Sequence, residues 1–244
     1  MGCSYLFKST FVLAVSSVLA LNVLGAPSLA NDTNAVLRQG LPGRRISGGS
    51  RSPDTACVST RDEPVIALMP KNNIGSTLSA HPSFWFSLPA VNQNRTLEFG
   101  LFDQSGELVY QKSLSVPNEV GVTQLSLPET ATPLQVNDDY RWYLSVVCNP
   151  ESRSEDLVVT GWVRRVEADS TLRSQLSLST PQEQLALYKT SELWYDALTT
   201  LSEMRRQNPD APELEEQWND LMQAIDLPQL FAAPFGSAIE LSDT

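Results

Sequence analysis

His81, the one histidine among 244 residues, stands between Ser79 and Ser83. Serine, imidazole and a carboxylate from elsewhere in the chain make up a hydrolytic triad. The spacing opposes that use. A base two residues from its serine on an extended segment points awkwardly, and no nucleophile elbow is present. His81-Pro82 reads instead as a turn leading into a strand. Glu213, Glu216 and Asp220 share one face of a predicted helix, opposite its apolar stripe, and read as a solvated face. A straight helix does not wrap a calcium ion with oxygens. One imidazole makes no histidine-based zinc site, and two thiolates alone do not complete a tetrahedral one. Gly48-Gly49 is no phosphate loop, because no Lys-Ser/Thr follows at the required spacing. No catalytic residue, metal ligand set or cofactor site is therefore expected, and the chain is read as not an enzyme.

Two cysteines and two tryptophans remain as candidates. Cys57 and Cys148 read as one disulfide in an oxidising compartment, with two buried thiols as the other reading. Trp85 and Trp162 lie on strand faces among polar neighbours, Ser83 and Ser87 for one, Thr160 and Arg164 for the other. Such rings either stack on a sugar or a partner, or lie buried beneath another part of the chain. Burial is favoured here, because the helical part of the chain needs an apolar dock.

The compartment is legible at the N-terminus. Lys8 is the one charge in the first 30 residues, an apolar run extends from Phe11 to Ala26, and Ser28-Leu29-Ala30 places small residues before Asn31. This is the pattern of a secretory signal peptide cut after Ala30. The run is shorter than the ~20 residues a membrane span needs, so no stable anchor is expected after cleavage. A periplasmic or secreted location follows, with the thylakoid lumen as a further destination for this kind of signal. The chain carries 17 Lys and Arg against 28 Asp and Glu, a net charge of −11. That balance argues against a nucleic-acid surface. It is also uneven: residues 31–168 carry 12 basic and 15 acidic groups, residues 169–244 carry 4 and 13.

The elements that must position these residues change character at the same boundary. Pro64–Met69, Ser83–Leu88, Arg95–Phe102, Glu107–Leu114, Gly121–Leu127, Asp138–Cys148 and Leu157–Val166 read as seven short strands. Asp103-Gln104-Ser105-Gly106 reads as a hairpin turn. Asp138-Asp139 reads as part of a turn, and Arg153 with Asp156 as a local ion pair tying a loop. Leu134 precedes Tyr140 by six residues at the entry to the penultimate strand, which resembles the tyrosine corner of immunoglobulin and fibronectin type III sandwiches. Thr180-Pro181-Gln182-Glu183 is a capping box with proline at the first helical position. It opens a helix to about Lys189. A second helix, from about Ser191 to Gln207, carries Leu193, Trp194, Ala197, Leu198, Leu201 and Met204 on one stripe. A third begins at Asp210 and carries Leu214, Trp218, Leu221, Met222 and Ile225. Ala197, Leu201 and Pro209 fall at the spacing of a tetratricopeptide repeat. One repeat makes no solenoid, so this hairpin must pack on something else.

The expected fold is thus α+β. A signal peptide (1–30) and a polar arm with Arg44, Arg45 and Arg51 (31–61) precede an antiparallel, immunoglobulin/fibronectin type III-like β-sandwich (62–168). A helical segment resembling a degenerate tetratricopeptide repeat packs on it (169–228), and a tail follows (229–244). The arm is read as a solvated lead-in. Gly48-Gly49-Ser50-Arg51, His81–Phe86, Tyr140-Arg141-Trp142 through Cys148, Arg153–Asp156, Gly161–Arg164 and Leu193–Leu198 with Pro209 occur in that order. In these segments the chain resembles the secreted cyanobacterial family catalogued as domain of unknown function 928. The resemblance implies an exported protein of cyanobacterial type and no assigned activity. Thr190-Ser191 departs from it, standing where a glycine-containing turn is expected. The function expected from all this is a protein–protein interaction or scaffold module of the cell envelope, its partner another envelope protein. The alternative is a carbohydrate-binding module using Trp85 or Trp162.

Overall fold

The computed structural model describes residues 1–2, 42–48, 64–90, 95–115 and 121–241. The chain divides into two compact units, Met1–Asp32 and Thr33–Thr244, and the fold described is that of the second. The expected cleavage site, Cys57 and Arg51 lie outside the described residues.

Among the described residues two sheets and four helices form an α+β combination. The strands are β1 (Ile66–Ala67), β2 (Ile74–Thr77), β3 (Ser83–Leu88), β4 (Thr96–Phe102), β5 (Leu108–Ser115), β6 (Gly121–Ser126), β7 (Asp139–Val147), β8 (Leu157–Arg165) and β9 (Phe235–Glu240). The helices are α1 (Ser170–Leu178), α2 (Pro181–Thr190), α3 (Trp194–Gln207) and α4 (Pro212–Ala224). One sheet has the order β1-β3-β6-β9 and the other β2-β8-β7-β4-β5. Pairing is antiparallel except at the two added edges, where β2 runs parallel to β8 and β9 parallel to β6.

Alternation along the strands explains the shared core. Phe84, Phe86 and Leu88 of β3 meet Leu97, Phe99 and Leu101 of β4 and Trp142, Leu144 and Val146 of β7. Phe84 and Phe99 lie 4.9 Å apart by ring centroid, and Phe86 meets Trp142 edge-on at 5.5 Å. The residues between them on β3 point the other way. Trp85, with Ile66, Leu68 and Val122, packs against Leu198, Leu201, Trp218 and Leu221 of the helices. The β3 sheet is therefore buried on both faces. Each large apolar side chain so enclosed contributes about 1.5–3 kcal/mol relative to exposure.

Local chemistry sets the ends of the elements. The Asp103 carboxylate accepts from the N–H groups of Ser105 and Glu107 at 2.8 and 3.0 Å, and Gly106 takes a φ of 87° in that turn. The Thr180–Glu183 capping box is closed in both directions. Between α2 and α3 the left-handed position falls to Glu192, with φ 56°. This turn separates the two helices without a glycine. Leu134 is fully buried, and the Gln135 N–H donates to the Tyr140 hydroxyl at 2.9 Å.

Several expectations need correction. Within the expected tail, Phe235–Glu240 returns as β9 beside β6, and the Tyr110 hydroxyl donates to the Leu241 carbonyl. The arm is not simply a solvated lead-in. Arg44 and Ile46 form bridges to Thr160 and Ile66. Arg45 donates to the carbonyls of Ile225 and Asp226 at 2.5 and 2.9 Å and pairs with the Asp226 carboxylate at 3.1 Å. A guanidinium there satisfies the free carbonyls at the end of α4 and suits its negative dipole end. Asp139 does not serve a turn. It forms a two-point ion pair with Arg164 across β7 and β8, both contacts at 2.5 Å.

Candidate functional site

Of the two candidate tryptophans, Trp85 is 1% exposed. Its Nε1–H donates to Thr199 Oγ1 of α3 at 3.3 Å. The ring is roofed by the helices, so it offers no face to a sugar or a partner. The physical reason is the two-sided burial of β3: its polar neighbours Ser83 and Ser87 lie toward the strand ends, while the centre of the strand carries the helical layer.

Trp162 is placed differently. It is half-buried on the outer face of the five-stranded sheet, away from the core. Its Nε1–H donates to the Pro42 carbonyl at 2.8 Å, which fixes the turn of the indole. Gly43 allows the 42–44 segment to lie this close, since a Cβ there would stand 2.9 Å from Asn73 Cβ and 3.0 Å from the Thr160 carbonyl. A cleft of about 520 Å3 opens between Pro42, Gly43 and Arg44 on one side and Arg141, Thr160 and Trp162 on the other. The register sets Phe102, Arg141 and Trp162 in one row across β4, β7 and β8. Tyr143 lies one step along on the same face and stacks on Phe102, centroids 6.0 Å apart at 28°. Its ring covers Gly100, where a Cβ would come within 2.2 Å.

His81, Ser79 and Ser83, which the sequence singles out, meet at a second place two residues that it does not, Tyr188 and Asp196. His81, Ser79, Ser83, Tyr188 and Asp196 line a pocket of about 230 Å3 between the sandwich edge and α2–α3. The groups do not form a relay. His81 Nε2 pairs with the Ala131 carbonyl at 3.0 Å. Ser79 Oγ accepts the His81 backbone N–H at 3.1 Å, and Ser83 Oγ bonds Ser126 Oγ at 2.9 Å. Asp196 Oδ2 accepts the Leu78 N–H at 3.1 Å. Desolvation pushes the Asp196 carboxyl up to about 6, against the opposing hydrogen bonds from Leu78 and Thr77. Tyr188 is held above its ordinary range by burial first and the Asp196 charge second. Beside it, Tyr195 leaves α3 for the sandwich core, where its hydroxyl accepts from Trp142 Nε1 at 3.0 Å and donates to the Trp162 carbonyl at 3.1 Å. Burial raises that hydroxyl's pKa.

A third feature is a groove of about 810 Å3 between α1 and α2, with Leu172 and Leu178 on one wall and Ala186 and Leu187 on the other. α1 buries none of its nine residues, and Leu178 is 88% exposed.

The remaining sequence candidates fall into structural roles. Arg153 pairs with Asp156 and with Glu98, both at 2.6 Å, and these contacts raise its pKa, Glu98 most. The Asp156 carboxylate also accepts from Cys148 N–H at 3.1 Å. Cys148 is disulfide-bonded. Glu213, Glu216 and Asp220 are exposed on α4. Among the described residues no group of three or more His, Cys, Asp and Glu could hold a metal ion, and no helix is long and apolar enough to cross a membrane. Comparison with curated proteins gives no match. Residues 46–235, which include β1 to β8, the first residue of β9 and all four helices, match the family described as Domain of Unknown Function (DUF928), and the chain belongs to that family.

Proposed function

We propose that this protein is a non-enzymatic, exported interaction module of the cell envelope, and that a protein partner seats in the α1–α2 groove. One observation carries the reading. α1 is an N-capped helix, its Leu172 N–H bonded to the Asp169 carboxylate at 2.8 Å, yet Leu178 is 88% exposed and Leu172 and Leu176 are only half-buried. An isolated apolar face of this kind on a nine-residue helix favours a binding surface. The segment 169–244 carries 13 acidic groups against 4 basic ones, so the matching partner presents apolar side chains with a basic rim. Export rests on the N-terminal pattern ending at Ala30 and on the pairing we infer between Cys57 and Cys148. The sandwich is read as immunoglobulin/fibronectin type III-like. The orders β1-β3-β6 and β8-β7-β4-β5 support this, as does the Gln135–Tyr140 bond at the corner. The α2–α3 pair is read as a degenerate tetratricopeptide hairpin.

The test is affinity capture with the wild-type chain and with the double substitution Leu172→Asp, Leu178→Asp. Both residues lie on α1, outside the buried clusters, so melting should not change. The reading expects a defined envelope protein with the wild type and its loss with the variant. Equal recovery with both would place the partner elsewhere. A second reading, carbohydrate binding, is favoured by the cleft at Trp162 and no longer involves Trp85.

A further inference from the structure

The outer face of the five-stranded sheet combines an aromatic row with an uneven distribution of charge. Phe102, Tyr143 and Trp162 are half-buried there, and Arg141 lies between Phe102 and Trp162 in register. Neighbouring strands are about 4.8 Å apart, so the row from Phe102 to Trp162 spans about 10 Å. The acidic groups of this face are already matched. Asp139 pairs with Arg164 at 2.5 Å, and Glu98 with Arg153 at 2.6 Å. Arg141 and Arg44 are exposed, line the same cleft, and form no ion pair among the described residues. On a chain of net charge −11, two uncompensated guanidinium groups beside an indole mark a place where an anion is attracted and a ring is stacked.

We propose that this face binds an acidic polysaccharide, a chain of carboxylate-bearing sugar rings. The inference rests on the carbohydrate reading of Trp162 and extends it to a ligand class. The sugar ring lies against the indole, whose apolar face accepts the C–H side of a pyranose. The carboxylate is taken by Arg141 or Arg44, whose planar forks match it by two parallel hydrogen bonds. Neighbouring rings of the chain run over Phe102 and Tyr143. The Pro42 carbonyl and Gly100 are part of the site's construction, holding the indole and the phenol in place.

Titration calorimetry of the purified chain with oligogalacturonate, with the same oligomer after reduction of its carboxyl groups, and with free sulfate separates the outcomes. The expected result is binding of the oligogalacturonate that weakens as salt is raised. Reduction of the carboxyls should weaken it at least tenfold. Arg141→Gln and Arg44→Gln should each weaken it severalfold, and Trp162→Ala at least tenfold. The arginines are exposed, so their substitutions leave folding unchanged and keep the test open if Trp162→Ala is unstable. Equal binding of the reduced oligomer would overturn the acidic assignment while leaving the carbohydrate reading in place. Sulfate competing at the oligomer's own affinity would reduce the site to a simple anion site and overturn the proposal. Absence of binding by either oligomer would overturn both, and binding insensitive to the three substitutions would remove the site from this face.

Discussion

Asp196→Asn isolates the energetic cost of enclosing one carboxyl between the helical layer and the sandwich. In the wild type, desolvation moves this group from 3.8 to about 6. The folded state therefore holds the proton more tightly than the unfolded chain. The stability that protonation contributes is complete below about pH 3.8 and is lost as pH rises through about 6. At RT ln 10 per pH unit the displacement corresponds to about 3 kcal/mol, an upper figure because the residue keeps a partly wet side. In the asparagine variant the amide oxygen still accepts the Leu78 N–H, and no charge is enclosed. Urea unfolding followed by tryptophan fluorescence at pH 4 and pH 7.5 reads the effect. All other carboxyls cancel when wild type and variant are subtracted at each pH. The variant should gain about 2–3 kcal/mol on the wild type between pH 4 and pH 7.5. Parallel stability profiles for the two proteins would refute the reasoning, since Asp196 would then titrate alike in folded and unfolded chains.

Three further outcomes follow from the packing. Trp85→Ala removes the largest side chain at the β3–α3 contact and should cost about 3–5 kcal/mol in denaturant unfolding, an exposed residue's substitution costing far less. Tyr195→Phe keeps the ring but leaves Trp142 Nε1 and the Trp162 carbonyl without this hydroxyl, and a loss of about 1–3 kcal/mol by the same measurement is expected. Thiol labelling of the unreduced protein should modify neither Cys57 nor Cys148; labelling of both would remove the inferred pairing.

Much of this architecture was legible where the signal is local. Ser83–Leu88 alternates in sequence and forms β3 with those same bounds. Thr180 and Glu183 announce the start of α2, and the Leu198, Leu201, Trp218 and Leu221 stripes lie in the buried helical layer. What escaped depends on distant pairing. β2 has four residues, too few for a period to register, and exists because β8 offers it a parallel edge. β9 contains glycine, serine and alanine and is drawn into the sheet by β6. α1 is short and buries nothing, so its stripe does not stand out from a polar segment. Tyr195 and Asp196 lie off the main stripe of α3, and only the angle at which α3 meets the sandwich turns them inward. Trp162 was visible as a candidate, but Arg141 became its neighbour only through the register of β7 with β8. Trp85 lies beneath the helical layer, as the helices' need for an apolar dock suggested, although Ser83 and Ser87 flank it in sequence.

A protein partner seated in the α1–α2 groove would lie against Leu178. A photoreactive amino acid placed at Leu178, with a control placement at the exposed Glu213 of α4, tests this seating in the living cell. Irradiation should yield one adduct of defined mass from position 178 and none from position 213. Absence of any adduct at 178, or the same adducts from both positions, would contradict it.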